Sequence, residues 1–300
     1  MTIFRQVDAR FNELFDGSES FTTLAQGFRF TEGATWHPLE RHVTFSDIPS
    51  NRLHRWSAVT GETTIFRDPS DMTNGMTYDR EGRLLMCEHL TTRVTRLESD
   101  GSVTVLADRW QGAQLNSPND IVVDKEGGIW FTDPLYGRQS DTGVEREAEL
   151  PFQGVFKIDT VRGLQLVDDD YTAPNGLCFS PDMERLYVND SESLKIRVYA
   201  IDSQGVASDG KVFAEIRDFD GTLGYDGPDG MKVDARGNVW CAGHGGIHVF
   251  DDSGVLLGVL LTPEFPGNFC FGGDDMRTLF VCASTTFLSI PVLQPGQAIF

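Results

Sequence analysis

The sequence predicts an all-β protein, a six-bladed β-propeller of four-stranded blades preceded by a short N-terminal helix. Three observations predict it. Short apolar runs rich in β-branched and aromatic residues alternate with clusters of Gly, Asp, Asn and Pro, the pattern of strands closed by turns. A motif that begins on Asn, Asp or Glu recurs six times, its starts spaced 42, 45, 56, 54 and 39 residues apart, and strand repeats of about 40–50 residues are propeller blades. Finally, the last copy lacks a strand and the N-terminal region has one to spare.

Along the chain, Phe4, Val7, Phe11, Leu14 and Phe15 fall at helical spacing. They predict a helix over residues 3–15, inside an extension of residues 1–19, with one face on the body. The run from Phe21 to Ala25 reads as a lone strand. The six motifs then start at Glu32, Asn74, Asn119, Asn175, Asp229 and Asn268. In the last five, a first apolar run leads to a tight turn marked by Asp79, Asp124, Asp182, Asp234 or Asp274. A second run follows, such as Arg83–Cys87, Gly128–Thr132 or Asn238–Ala242, as in an antiparallel hairpin. Further runs, such as Arg93–Leu97 and Ser102–Leu106, bring the count to four strands. Only 32 residues follow Asn268, enough for three strands. The strand at Phe21–Ala25 is therefore expected to complete the last blade and close the ring, removing its exposed edges. The propeller fills residues 20–300.

The 45 acidic and 25 basic side chains give a net charge of −20. That repels phosphate backbones and anionic lipid, so nucleic-acid and membrane-surface roles are disfavoured. The longest apolar run, Val255–Leu261, is far short of the roughly 20 residues of a membrane span. Arg5, Asp8 and Arg10 interrupt the N-terminus where an export signal needs an apolar stretch, so a cytoplasmic location is expected. The five cysteines form no C-x-x-C pair and read as core thiols of a reducing compartment.

In a propeller the first strand of each blade lines the central channel, so the six motif starts should ring one mouth. The set is two carboxylates and four carboxamides. Hard oxygen donors suit Ca²⁺, then Mg²⁺ or Mn²⁺; Zn²⁺ more often takes nitrogen or sulfur. The same Asn and Asp side chains also start strands by bonding to nearby backbone. Glu32 and Asp229 tilt the choice, because two carboxylates in an apolar-walled channel repel without a cation. The loops leaving the second strands bring Asp47, Glu88, His89, Asp133, Tyr136, Asn189, Asp190, His244 and Ser284 to the same mouth. The loop from Gly137 to Pro151 is the longest insertion and a candidate lid. Asp218 and Asp220 resemble the start of an EF-hand loop, but Gly221 comes too early and no closing Glu follows.

The ordered pieces Phe30–Trp36, Leu115–Asp120, Trp130–Pro134, Pro174–Pro181 and Gly227–Met231 resemble the gluconolactonase/regucalcin (senescence marker protein) family, closest to its bacterial gluconolactonase branch. The resemblance implies metal-dependent hydrolysis of sugar lactones to aldonic acids. It implies Glu32, Asn175 and Asp229 as ligands of one divalent cation, with Asp229 also passing the proton. Asn119 would bind substrate or complete the metal shell. His89, Asp133 and Tyr136 are the expected further substrate contacts. Regucalcin-like members place an Arg where this chain has Ser117, so Arg93 or Arg138 is the expected substitute. Two alternatives remain: an organophosphate or aryl-ester hydrolase on the same cation, and a non-catalytic binding scaffold.

Overall fold

The computed structural model describes residues 3–208, 210–216 and 227–298. Asp218 and Asp220 lie outside them. Six antiparallel sheets succeed one another around an axis, five of four strands and one, blade 5, of five. Their innermost strands are Thr31–His37, Thr73–Tyr78, Ile121–Val123, Pro174–Phe179, Met231–Val233 and Pro266–Gly272. Each packs on the next, and the sixth packs on the first. The ring closes as expected: Thr22–Gln26 pairs with Thr286–Pro291 as the outermost strand of blade 6, with Thr22 opposite Ser289.

The core is divided. Six clusters of buried apolar side chains occupy the six junctions between neighbouring blades. Both faces of a blade's inner strands are covered, so these are buried along most of their length, as in the seven-residue run Thr31–His37, whereas the outermost strands are partly exposed. All five cysteines are buried free thiols in these junctions.

The Asp turns have a definite chemistry. Asp124 Oδ1 accepts from the backbone N–H of Glu126 (3.0 Å) and Gly128 (2.7 Å), and its Oδ2 accepts from Trp130 Nε1 (2.9 Å). Asp234 does the same with Arg236, Asn238 and Trp240. In blade 6 the position is displaced by one. Asp275 accepts from Arg277 N (3.1 Å), whereas Asp274 reaches outward to Arg41.

The N-terminal segment departs from the expected helix. Phe4–Gln6 is a strand, added as a fifth member to the outer edge of blade 5, with Phe4 opposite Leu260. Only Ala9–Glu13 is helical, a short 3₁₀ turn whose cap, Asp8, accepts from Arg10 N at 2.9 Å. Phe11, Leu14 and Phe15 are buried as anticipated, but Val7 is exposed. The reason is the open edge of Leu256–Leu261, whose unpaired backbone groups outbid the weak helical preference of an aromatic and β-branched segment. Gly258 on that edge leaves room for the Phe11 ring, which a Cβ would approach to 2.6 Å.

Tight packing at the axis follows from a second-position glycine. Gly33, Gly75, Gly176 and Gly230 each follow a motif start. A Cβ there would lie 2.1 Å from Asn74 O, 2.3 Å from Asn119 O, 2.2 Å from Asp229 O and 2.4 Å from Asn268 Cγ respectively, always on the next blade. Gly75 N also donates to Asn119 O across the junction at 2.8 Å.

Candidate functional site

Five of the six motif starts, Glu32, Asn74, Asn119, Asn175 and Asp229, line one cavity of about 270 Å³ at the mouth where the innermost strands begin. The sixth does not. Asn268 Oδ1 accepts from Phe269 N (2.9 Å) and from Lys232 Nζ (3.3 Å), and its side chain is engaged beside Glu32 and Asp120, away from the cavity wall.

Glu32 and Asp229 are buried carboxylates. Burial raises both above the ordinary carboxylate range, and each feels like charges nearby: Asp120 beside Glu32, and Glu32 and Asp120 beside Asp229. Gly33 N donates to Glu32 Oε2 at 2.8 Å. Gly267 leaves the space in which Oε1 sits, since a Cβ there would be 2.3 Å from it. Asn189 Nδ2 holds the Asp229 backbone by donating to its carbonyl at 2.5 Å. Asn175 Nδ2 donates to Ser191 Oγ (3.2 Å), and Ser191 Oγ donates to Pro228 O (2.6 Å).

Asp120 is the residue that the sequence reading missed. It occupies the second position of its motif, where four other copies have glycine, and that contrast was the available signal. Its Oδ1 accepts from Ile121 N at 2.9 Å, while its buried Oδ2 has no hydrogen-bond partner. Burial raises its pKa and the Lys232 ammonium opposes that rise. Fully ionised, three carboxylates against one ammonium would leave two negative charges in the channel, the charge that one divalent cation neutralises. The donor chemistry fits one divalent cation: anionic and carboxamide oxygens, with no thiolate or imidazole on the motif positions. Among the described residues no three His, Cys, Asp or Glu side chains cluster tightly enough to hold a metal by themselves, so carboxamides would have to share the coordination.

His89 and Tyr136 form part of the wall. His89 Nδ1 is 2.9 Å from Thr142 O, and a carbonyl only accepts, so Nδ1 carries the proton. Nε2 is then an acceptor, 3.4 Å from Asn74 Nδ2. Burial, with a further push from Arg146, lowers the His89 pKa to about 4. Burial pushes the Tyr136 hydroxyl up to about 12, with Asp229 among the charges adding to it. At neutral pH the wall therefore offers a neutral imidazole and a phenol. The long loop supplies Gln139, Asp141 and Thr142 to this wall. It is pinned by Arg146 Nη1 on Leu90 O (2.8 Å) and by Thr142 Oγ1 on Tyr136 O (2.8 Å).

Asp133 does not reach the cavity. Its oxygens accept from Asn116 N and Ser117 N, both at 2.8 Å, and it is fully buried. Burial raises its pKa to about 7 against those two bonds. Asp47 and Asp190 end second strands in the same way and bind the backbone of Arg29 and Phe30, and of Thr172 and Ala173. This position ties the segment leading into its own blade and is spent on structure. Glu88 is likewise taken up by Thr91, Arg93 and Thr95. His244 accepts at its carbonyl from His248 Nε2 (2.9 Å), and Ser284 Oγ donates to Phe265 O (3.0 Å); neither side chain is part of the cavity wall.

Neither expected arginine replaces the contact at Ser117. Arg93 is held by Glu88 at 2.6 Å, and Arg138 is buried on the carbonyls of Asn116 and Leu115. Ser117 itself lies beneath the loop, donating to Pro134 O and accepting from Gly137 N. The described walls carry no Arg or Lys side chain.

Residues 30–285 match the family model described as SMP-30/Gluconolactonase/LRE-like region. The chain belongs to this family. It is 30% identical to the gluconolactonase of Zymomonas mobilis, over 92% of this chain and 82% of that one. It is 33% identical to the pentonolactonase of Haloferax volcanii, over 84% and 81%. The solved structure of a gluconolactonase from Xanthomonas campestris superposes with a TM-score of 0.88 at 32% identity, over 96% and 94%. Within the SMP-30/gluconolactonase family the propeller is thus shared with enzymes named for sugar lactones. Among the described residues of this member no helix is long and apolar enough to cross a membrane.

Proposed function

We propose that this protein hydrolyses sugar lactones to aldonic acids with one divalent cation, Ca²⁺ in first place, held by Glu32, Asn175 and Asp229, and with Asp229 as general base. The carrying observation is the pair of buried carboxylates at one mouth of the channel, both raised by burial, with the charge of Glu32 raising Asp229 further. The named activities of the Zymomonas and Haloferax relatives support the same reading. The cation, when bound, supplies Lewis acidity toward the lactone carbonyl and its developing oxyanion.

The chain's own residues do the rest. Asp229 takes a proton from the attacking water as its oxygen bonds to the carbonyl carbon. When the ring C–O bond breaks, Asp229 returns that proton to the departing ring oxygen, giving the open hydroxy acid. Asn119 and Tyr136 orient sugar hydroxyls, and His89 Nε2 accepts from one. With Asp141 in the wall and no cationic side chain among the described walls, the site favours uncharged lactones over phosphorylated ones.

Asp229→Asn is the test. It should lower kcat on a glucono-lactone by at least about 10²-fold in protein that still folds. Full activity in that variant overturns the mechanism. A purified protein that binds no divalent cation and turns over no lactone supports the scaffold alternative. Faster turnover of an organophosphate or aryl ester than of any sugar lactone supports the other.

A further inference from the structure

The channel holds one charged side chain that the lactonase mechanism does not use. In the strand Met231–Val233, Met231 and Val233 pack into the junction of blades 4 and 5. Side chains alternate along a strand, so Lys232 between them turns to the channel. The fourth position of the motif carries no charge in blades 1 to 4, where Thr35, Thr77, Val122 and Cys178 stand. These four and Lys232 line a second cavity toward the opposite mouth, where the innermost strands end. Among the described residues that line either cavity, Lys232 is the one Lys or Arg.

Lys232 is tied to the ring of motif starts through Asn268. Its Nζ donates to Met231 O (2.9 Å) and to Asn268 Oδ1 (3.3 Å). Phe269 N donates to the same Asn268 oxygen at 2.9 Å. Both lone pairs of that oxygen are then used, which leaves the amide NH2 for the carboxylates of Glu32 and Asp120 beside it. An ammonium, a carboxamide and two carboxylates thus form one chain across blades 5, 6, 1 and 3. The ammonium favours the charged forms of both Glu32 and Asp120. Fully ionised, Glu32, Asp120 and Asp229 need three positive charges. Lys232 supplies one, and a divalent ion supplies the other two. Without Lys232 a trivalent ion would be the better match.

We propose that Lys232 is a built-in counter-ion of the cation site, a positioning residue that holds Asn268, Glu32 and Asp120 together when no cation is bound and matches the site to a divalent rather than a trivalent ion. The inference rests on the cation site proposed above and adds to it a residue outside the ligand set. Lys232 acts through charge, so the effect of removing it grows with the charge of the ion.

The full-length protein is titrated by calorimetry with Ca²⁺ and with Tb³⁺, an oxygen-seeking ion of similar size. Lys232→Gln removes the charge and keeps a group that can donate to Asn268. It is expected to tighten Ca²⁺ binding at least about fivefold and Tb³⁺ binding by a larger factor. Lys232→Arg keeps the charge and should leave both affinities within about twofold of wild type. Unchanged or weaker Ca²⁺ binding in Lys232→Gln, or equal gains for the two ions, overturns the proposal. If Lys232→Gln does not fold, Lys232→Met carries the same comparison. Urea unfolding of metal-free protein supplies an arm that needs no cation. Lys232→Gln should lower the midpoint, and that loss should shrink by at least about half in an Asp120→Asn background, where one of the facing charges is gone. An equal loss in both backgrounds overturns the counter-ion role. Failure of the underlying reading looks different: wild type then binds neither ion, while the urea arm still upholds or overturns Lys232 as counter-ion.

Discussion

Acidification should unfold this protein partly through His89. The side chain is wholly buried, neutral, and held by its Nδ1–H on Thr142 O. In the unfolded chain a histidine titrates near 6.5, and in the fold His89 titrates near 4. Between those values the unfolded state binds more protons, so stability rises with pH across the window. The advantage of the neutral fold is therefore complete above pH 6.5 and is lost as pH falls to 4. At about 1.4 kcal/mol for each tenfold change, the loss is about 3 kcal/mol. Asp133, Asp120, Glu32 and Asp229 have raised pKa values and act with the opposite sign, so the wild-type curve alone does not isolate the histidine. Urea unfolding of metal-free wild type and His89→Asn at pH 7.5 and 4.5 does. The stability gap between them should shift by about 2.5 kcal/mol in favour of the variant at pH 4.5. A gap that stays constant over that window refutes a buried neutral imidazole at this position.

Asp133→Ala should cost about 2–5 kcal/mol, since it strands two buried backbone donors. A raised KM with an unchanged urea midpoint would restore Asp133 as a substrate contact. Gly75→Ala places a Cβ 2.3 Å from Asn119 O and should destabilise by at least about 1–3 kcal/mol, read as a lower Tm. Phe15→Ala removes a ring packed 4.6 Å from Phe4 and 5.9 Å from Trp240 between centroids. It should cost about 3–5 kcal/mol; a cost below 1 kcal/mol would mean that the N-terminal segment is not part of the blade 5 and 6 core.

The blades were legible because their determinants are local and repeated. Asp124 sits within six residues of every group it binds in its turn, so its pattern survives in the sequence. The N-terminal segment was misread because its partner, Leu256–Leu261, is some 250 residues away, and an edge that needs covering leaves no mark in the segment that covers it. The site divides in the same way. Motif position placed Glu32, Asn74, Asn119, Asn175 and Asp229 on one cavity. Loop position alone could not tell His89, which faces the cavity, from Asp133 and Glu88, which are consumed by backbone and neighbouring side chains. Asp120 was hidden by reading the motif for its first residue when the second varies more informatively.

The N-terminal segment stitches two adjacent blades at once: Phe4–Gln6 edges blade 5 and Thr22–Gln26 completes blade 6. During synthesis both strands leave the ribosome some 250 residues ahead of their partners. The early chain must therefore hold two unpaired strands while more than two hundred residues are added, and ring closure joins strands far apart in sequence, with Thr22 opposite Ser289. A circular permutant that begins at Thr31 and carries residues 1–30 after residue 300 would make blade 6 an ordinary sequential sheet. It should reach the same native ring faster, with less loss to aggregation on refolding.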